Sequence, residues 1–247
     1  SSGKNMGVFK AVGYPEDVGA FYRLEEYAGY CWTAHGRYPT NTPGWWGGAH
    51  PFTLLNWSVV HNGEISSYDA NRRYVEQFGY DCELQTDTEV ITYLFDLLAR
   101  RHGFSQQMAA HIMTAPAWDE IDRMDPPQRA FETALRITYP SALVNGPFSV
   151  IIGSNEGLLA LNDRLKLRAL ITAEKGSMTY LASEQAAIEV ICPDAENIHS
   201  LDGGEPFLVL LDEVAERKRL ETAENNPRRR HPAALETGVQ PTVRKEA

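Results

Sequence analysis

The stretch His35-Gly36-Arg37-Tyr38-Pro39-Thr40-Asn41-Thr42 organises this chain, together with Val60-His61-Asn62-Gly63-Glu64 and Thr86-Asp87-Thr88-Glu89 further on. Each has an ordinary explanation when taken alone. An Arg near a His and a Pro is usually half of a surface ion pair. Asn-Gly is a turn signal, and Thr-x-x-Glu opens a helix as a capping box. In this order the three supply more. Arg37 offers a planar fork that grips a carboxylate at two points. Asn62 and the Gly63 N–H form a donor pair of the kind an oxyanion needs. Asp87 provides an anion for an ammonium.

The flanking residues set how these groups are delivered. A strand predicted over 31–35 leads to Arg37, whose backbone is extended before Tyr38-Pro39, and Thr40 and Asn41 add small hydrogen-bonding side chains. A second strand, predicted over 54–61, stops at Asn62-Gly63, where glycine permits positive φ and close approach. Asp87 falls just inside a helix start, where a carboxylate also complements the helix dipole; Glu89 is assigned to the capping box with Thr86. The loop from Pro43 to Pro51, with Trp45 and Trp46, is rich in Gly, Pro and aromatics and suits the cover of a pocket.

Further out, Val90, Ile91, Leu94, Phe95, Leu97 and Leu98 form the strongest helical stripe in the chain. That helix is predicted to stop at Arg100-Arg101-His102-Gly103, basic residues and then glycine. Toward the N-terminus, a strand is predicted over 6–12 and a helix over 17–27. Ser66 or Ser67 should cap a helix to about Phe78, with Tyr68, Arg72, Val75 and Phe78 facing inward. Helices are also predicted over 105–113 and 127–137. From Gly146 the pattern changes to strands, over 148–152, 157–161, 170–173, 178–182 and 207–211, with a short helix at 184–190. Strands, then helices, then strands describe an α+β fold in which helices cover antiparallel sheets. Residues 1–212 are expected to form the domain, and the charged residues 213–247 a mobile tail.

Composition excludes several classes. The 247 residues carry a net charge of -10, which disfavours nucleic acid and anionic membrane as partners. No apolar run approaches the roughly 20 residues that span a bilayer, and Ser1-Ser2-Gly3-Lys4 opens no signal peptide, so a cytoplasmic location is expected. Cys31, Cys82 and Cys192 are three and widely spaced, suggesting neither a disulfide framework nor a thiolate metal site. His35, His50 and His61 match no common metal-ligand spacing, so no metal is expected.

The motifs together resemble the class II glutamine amidotransferases, which are N-terminal nucleophile hydrolases. The likeness is nearest to the glutaminase domain of glutamate synthase. It runs on through Ala49-His50-Pro51-Phe52, Gly146-Pro147-Phe148, Asn162-Asp163-Arg164-Leu165-Lys166-Leu167-Arg168, Ala182-Ser183-Glu184 and Leu201-Asp202-Gly203-Gly204-Glu205, covering roughly residues 5–212.

This resemblance implies a four-layer αββα sandwich that hydrolyses glutamine to glutamate and ammonia. It implies that Arg37 binds the α-carboxylate, Asp87 the α-amino group, and Asn62 with the Gly63 N–H the oxyanion, while Thr40 lines the site. The family's nucleophile is an N-terminal cysteine whose own α-amine, with a pKa near 8, serves as base. This chain begins Ser1-Ser2, so that cysteine is expected upstream and the chain alone is expected to be inactive. The resemblance also implies a synthase partner that receives ammonia, and hence a hetero-oligomer. FMN and an iron-sulfur cluster would belong to that partner, because nothing in this sequence reads as a site for either. A glutamine-binding or scaffolding module without catalysis is the alternative.

Overall fold

The computed structural model describes residues 6–38 and 44–216. The chain divides into two units at the Val209–Leu210 boundary, and the first carries the features below. It opens with α1 (Pro15–Tyr22) and a 3-10 turn at Leu24–Glu26, and a second such turn spans Trp46–Gly48. A hairpin of β1 (Phe52–Leu54) and β2 (Trp57–Gly63) follows, then α2 (Tyr68–Glu76) and α3 (Asp87–Asp96). A π turn at Leu97–Arg101 leads to α4 (Gln106–Met113), α5 (Trp118–Ile121) and α6 (Pro126–Thr138). The second half contains β3 (Phe148–Ser154), β4 (Gly157–Asn162), β5 (Ile171–Lys175) and β6 (Met178–Ala182). It ends with α7 (Gln185–Ile191), β7 (Glu196–Ser200) and β8 (Phe207–Leu210).

Two sheets form, in the orders β1-β2-β3-β4-β8 and β6-β5-β7. The pairs β1–β2, β2–β3, β3–β4, β5–β6 and β5–β7 are all antiparallel. Strand alternation separates the layers. Val150, Ile152, Leu159 and Leu161 join residues of α2, α3 and α4 in the main core. Their neighbours Ile151 and Ala160 face the other way and meet Leu170, Leu181, Leu201 and Phe207. On the far sheet α7 lies against β6 and buries Ile188. The order is therefore helices, sheet, sheet, helix, the αββα arrangement implied by the resemblance.

Helix α3 is the centre of the main core. Its whole predicted stripe, from Val90 to Leu98, is fully buried. At its end the buried Asp96 ties three elements together. Asp96 Oδ1 accepts from Trp57 Nε1 at 3.1 Å and Arg100 Nε at 2.7 Å, and Oδ2 from Tyr80 OH at 2.5 Å and Arg100 Nη2 at 2.6 Å. Burial works to raise this carboxyl, but the Arg100 and Tyr80 hydrogen bonds outweigh it and hold its pKa below the ordinary aspartate value.

Several local expectations are corrected. Residues 6–12 and 31–35 form no strand beyond an isolated bridge at Gly7. The helix expected over 17–27 is shorter, ending in Arg23 with φ 53. Ser67 stands at the N-cap of α2 without capping it; its hydroxyl instead donates to Asn71 and accepts from Asn145 N–H. Asn71, rather than Arg72, faces inward, and Phe78 is exposed. Thr86 caps α3 as expected, accepting from Glu89 N–H at 3.2 Å, but the Glu89 carboxylate turns away from the cap. It accepts the N–H groups of Glu83 and Leu84. Helix α5 and strand β7 were not anticipated. The tail expected from 213 lies largely outside the described residues.

The Asp96 assembly predicts that Asp96→Asn destabilises the protein by about 3 kcal/mol, because two of the four donor contacts that meet the buried carboxylate then face an amide NH2 in place of an acceptor. Urea unfolding measures this; a loss under about 1 kcal/mol would show that the assembly contributes little.

Candidate active site

Strand β2 carries His61-Asn62-Gly63 to the end of the sheet, and Gly63 is held there by contact. Its φ is 145°, and a Cβ would stand 2.1 Å from Pro147 O and 2.7 Å from Phe148 Cα. Gly146 is equally enclosed, with Glu64 O at 2.3 Å from its would-be Cβ. Two backbone bonds fasten the crossing, Glu64 N–H to Pro147 O at 3.0 Å and Ser66 N–H to Asn145 O at 2.8 Å. Only residues without side chains permit this approach. Its consequence is a fixed Ile65 N–H, which donates to Asp87 Oδ2 at 3.2 Å.

Asp87 is the first residue of α3, and its side chain is 16% exposed. The other carboxylate oxygen, Oδ1, lies 3.4 Å from His61 Nδ1 and 3.4 Å from the Thr88 hydroxyl. Burial works to raise the Asp87 carboxyl. The hydrogen bond and charge of His61, with the N–H groups of Ile65 and Thr88, prevail and hold its pKa below the ordinary aspartate value. Asp87 is thus an ionised carboxylate in a nearly closed setting.

Arg37 reaches the same region from the other motif. Its Nη1 donates to Gly48 O at 2.9 Å, so close that a Cβ on Gly48 would stand 2.5 Å from that nitrogen. Its charge acts on His35 and His50, whose rings lie 4.4 Å apart. His50 Nε2 is in turn 3.2 Å from Thr88 Oγ1. A chain of contacts runs from His50 through Thr88 to Asp87, which also meets His61 and the Ile65 N–H, while the Arg37 guanidinium acts on His50 through its charge. The Asn62 amide makes no hydrogen bond to a described residue, and its side chain is half-buried. Thr40 lies outside the described residues.

The sequence reading missed three features here. His50 and Thr88 join the site, the first signalled only by Ala-His-Pro and the second only by its place between Asp87 and Glu89. Asn162 pairs with Ser149, which pairs with Asn62 across β2, β3 and β4. The three polar side chains share one face, and the Asn162 amide is fully buried with neither atom partnered. A cavity of about 420 Å³, lined by Lys10, Trp46, Phe52, Glu89, Thr92 and Tyr93 among others, includes none of Arg37, Asn62, Gly63 or Asp87. Among the described residues no cluster of His, Cys, Asp or Glu is arranged to hold a metal, and no helix is long and apolar enough to cross a membrane.

The α+β layered fold carries an enclosed carboxylate beside His61 and an amide without a described partner at one sheet end. The family follows from comparison: the chain matches the class II glutamine amidotransferases over residues 1–228 and belongs to that family. It is 51% identical over 209 residues to an uncharacterized protein of Archaeoglobus fulgidus, covering 84% of this chain and 55% of that protein. It is 28% identical to the glutamate synthase (NADPH) large chain of Bacillus subtilis, covering 83% of this chain and 14% of that protein. Glutamine phosphoribosylpyrophosphate amidotransferase from B. subtilis, complexed with ADP and GMP, superposes with a TM-score of 0.49 at 20% identity, covering 72% of this chain and 32% of that one. The chain thus spans about half of one relative and a small part of another.

The buried histidines give the site a pH signature. Burial, with the neighbouring positive groups, lowers His35 to about 4 and His50 to about 2. In the unfolded chain both take a proton below their ordinary 6.5, so protons favour the unfolded state and stability falls as pH drops from 6.5. The thermal midpoint is predicted to fall on acidification from pH 6.5 toward 4, with a shallower slope in His50→Gln. Calorimetric scans across that range check it, and equal slopes in the two proteins would contradict it.

Proposed function

We propose that this domain binds glutamine and releases ammonia from its side-chain amide for a partner synthase. The observation that carries this reading is the Asp87 carboxylate, held ionised at a nearly closed helix start beside Asn62-Gly63. A substrate ammonium is the natural partner of such an anion, and Arg37 suits the carboxylate at the other end of an amino acid. The Asn62 amide and the Gly63 N–H then meet the tetrahedral oxyanion as it forms at the substrate's side-chain carbon. Donors fixed before reaction stabilise that charge without reorganising. Thr40 lines the pocket on this reading.

The attacking thiol comes from outside the described residues. Burial raises both Cys31 and Cys82, the latter to about 11, the opposite of what activates a thiol. Cys192 is buried and its thiol donates to Asp194 Oδ1 at 3.4 Å. An N-terminal cysteine, with its own α-amine as base, fits the chemistry.

The nature of the partner rests on the motif likeness to glutamate synthase and on the match to its large chain. On this reading the domain works in a hetero-oligomer, in the cytoplasm, and any FMN or iron-sulfur cluster sits on the synthase side. A glutamine-binding module without catalysis is the second reading, favoured by the lack of an activated cysteine among the described residues. Glutamate release by the native protein separates the two.

For the pocket itself, Arg37→Ala and Asp87→Ala are each predicted to weaken glutamine binding at least about tenfold, since each leaves a substrate charge without its partner. The melting temperature should stay close to that of the parent protein in Arg37→Ala and fall in Asp87→Ala, which strips the Ile65 N–H and the Thr88 hydroxyl of an acceptor, without either variant unfolding at the temperature of the assay. Titration calorimetry with L-glutamine reads the effect; normal binding by both variants would overturn the assignment.

A further inference from the structure

Thr88 occupies an unusual position. Its single hydroxyl lies 3.2 Å from His50 Nε2, 3.2 Å from His61 Nδ1 and 3.4 Å from Asp87 Oδ1. All three residues it touches are enclosed, with His50, His61 and Thr88 buried. A hydroxyl has one proton to donate and two lone pairs. The carboxylate can only accept, so the proton serves Asp87 and His50 must donate to Thr88, while the His61 Nδ1–H, 3.2 Å from the hydroxyl and 3.4 Å from Asp87 Oδ1, is shared between the two oxygens.

The remaining ring nitrogens support this assignment independently. His50 Nδ1 and His61 Nε2 are buried and make no hydrogen bond to a described residue. A buried N–H without an acceptor is rare and costly, whereas a bare ring lone pair is the lesser loss. His50 therefore carries its proton on Nε2 and His61 on Nδ1, the two atoms that face Thr88. Every donor in the cluster then has an acceptor, and the chain of bonds ends on one oxygen of Asp87. The other oxygen is fixed by Ile65 N–H.

We infer that Thr88 and His50 are positioning residues that aim the Asp87 carboxylate at the substrate's α-ammonium, acting through a hydroxyl that collects two imidazole N–H donors. The inference rests on the reading of Asp87 as the ammonium anchor. A donor on each carboxylate oxygen prevents the group from turning, and the remaining lone pairs are left to the ligand. His50 is kept neutral by its burial and the positive groups around it, so it does not compete as a cation for the same carboxylate. The His35 ring lies tilted against that of His50, 4.4 Å away, and contributes no donor to the hydroxyl in this arrangement.

The test uses two ligands, L-glutamine and 4-carbamoylbutanoate, which keeps the side-chain amide and a carboxylate but lacks the α-amino group. Thr88→Val removes the hydroxyl at constant shape and is predicted to weaken L-glutamine about tenfold while leaving 4-carbamoylbutanoate within about twofold. Thr88→Ser should restore the parent affinity for glutamine. A merely structural role would lower both ligands together, and that result would overturn the inference. Equal glutamine binding by parent and Thr88→Val would overturn it too. Failure of the parent protein to bind glutamine at all would instead remove the functional reading beneath it. If Thr88→Val does not fold, nitrogen-15 spectra of the parent protein's histidines still decide. Protons on His50 Nε2 and His61 Nδ1 sustain the network, and either proton on the opposite nitrogen contradicts it.

Discussion

The pressing of residues 63–66 against residues 145–148, backbone on backbone, is the constraint on which the rest of the site depends. With no side chain at Gly63 or Gly146, two segments approach to distances that a single Cβ would forbid. That contact ends β2 at a defined point and aims the Ile65 N–H at Asp87. Asn62 is carried on the opposite face of β2 from His61, so the amide and the Asp87 carboxylate, which lies beside His61, stand on opposite faces at this end of the sheet. The antiparallel register of β2 with β3 transmits this placement along the strand, with Gly63 opposite Phe148 and Asn62 opposite Ser149.

Electrostatics follows from that packing. Burial by itself opposes charge on Asp87, and the protein answers with donors on both oxygens and the start of a helix. The same enclosure keeps His35 and His50 uncharged, helped by the nearby Arg37 guanidinium. A site of this kind has one strong anion and one strong cation, with neutral groups between them. Such a polarity suits a ligand that is itself charged at one end of its backbone and neutral at its side chain.

Much of this was readable in the sequence, and what was not has physical causes. The stripe of α3 was legible because Val90 to Leu98 repeat at helical spacing, and every member is buried. The strands after Gly146 were legible because their apolar residues are concentrated in short runs. Strand β7 was hidden because Glu196-Asn197-Ile198-His199-Ser200 is polar and mostly exposed. The strands expected at 6–12 and 31–35 failed for the opposite reason: apolar residues there, such as Val12 and Trp32, remain exposed rather than paired. The role of Ser67 depends on Asn145, a residue 78 positions away, which no local pattern reports. At the site, Arg37, Asn62, Gly63 and Asp87 announced themselves by motif, and of their neighbours the structure ties Asp87 to His61, Thr88 and Ile65. His50 and Thr88 did not, because a buried hydroxyl shared by two rings has no signature in spacing.

The most direct test of the central claim is carbon-13 spectroscopy of the Asp87 side-chain carboxylate during titration with L-glutamine. The account predicts that its resonance moves saturably, with the character of an ionised carboxylate at neutral pH throughout, and that 4-carbamoylbutanoate leaves it nearly unmoved. A resonance indifferent to saturating glutamine, or one showing a protonated carboxyl, would contradict the account.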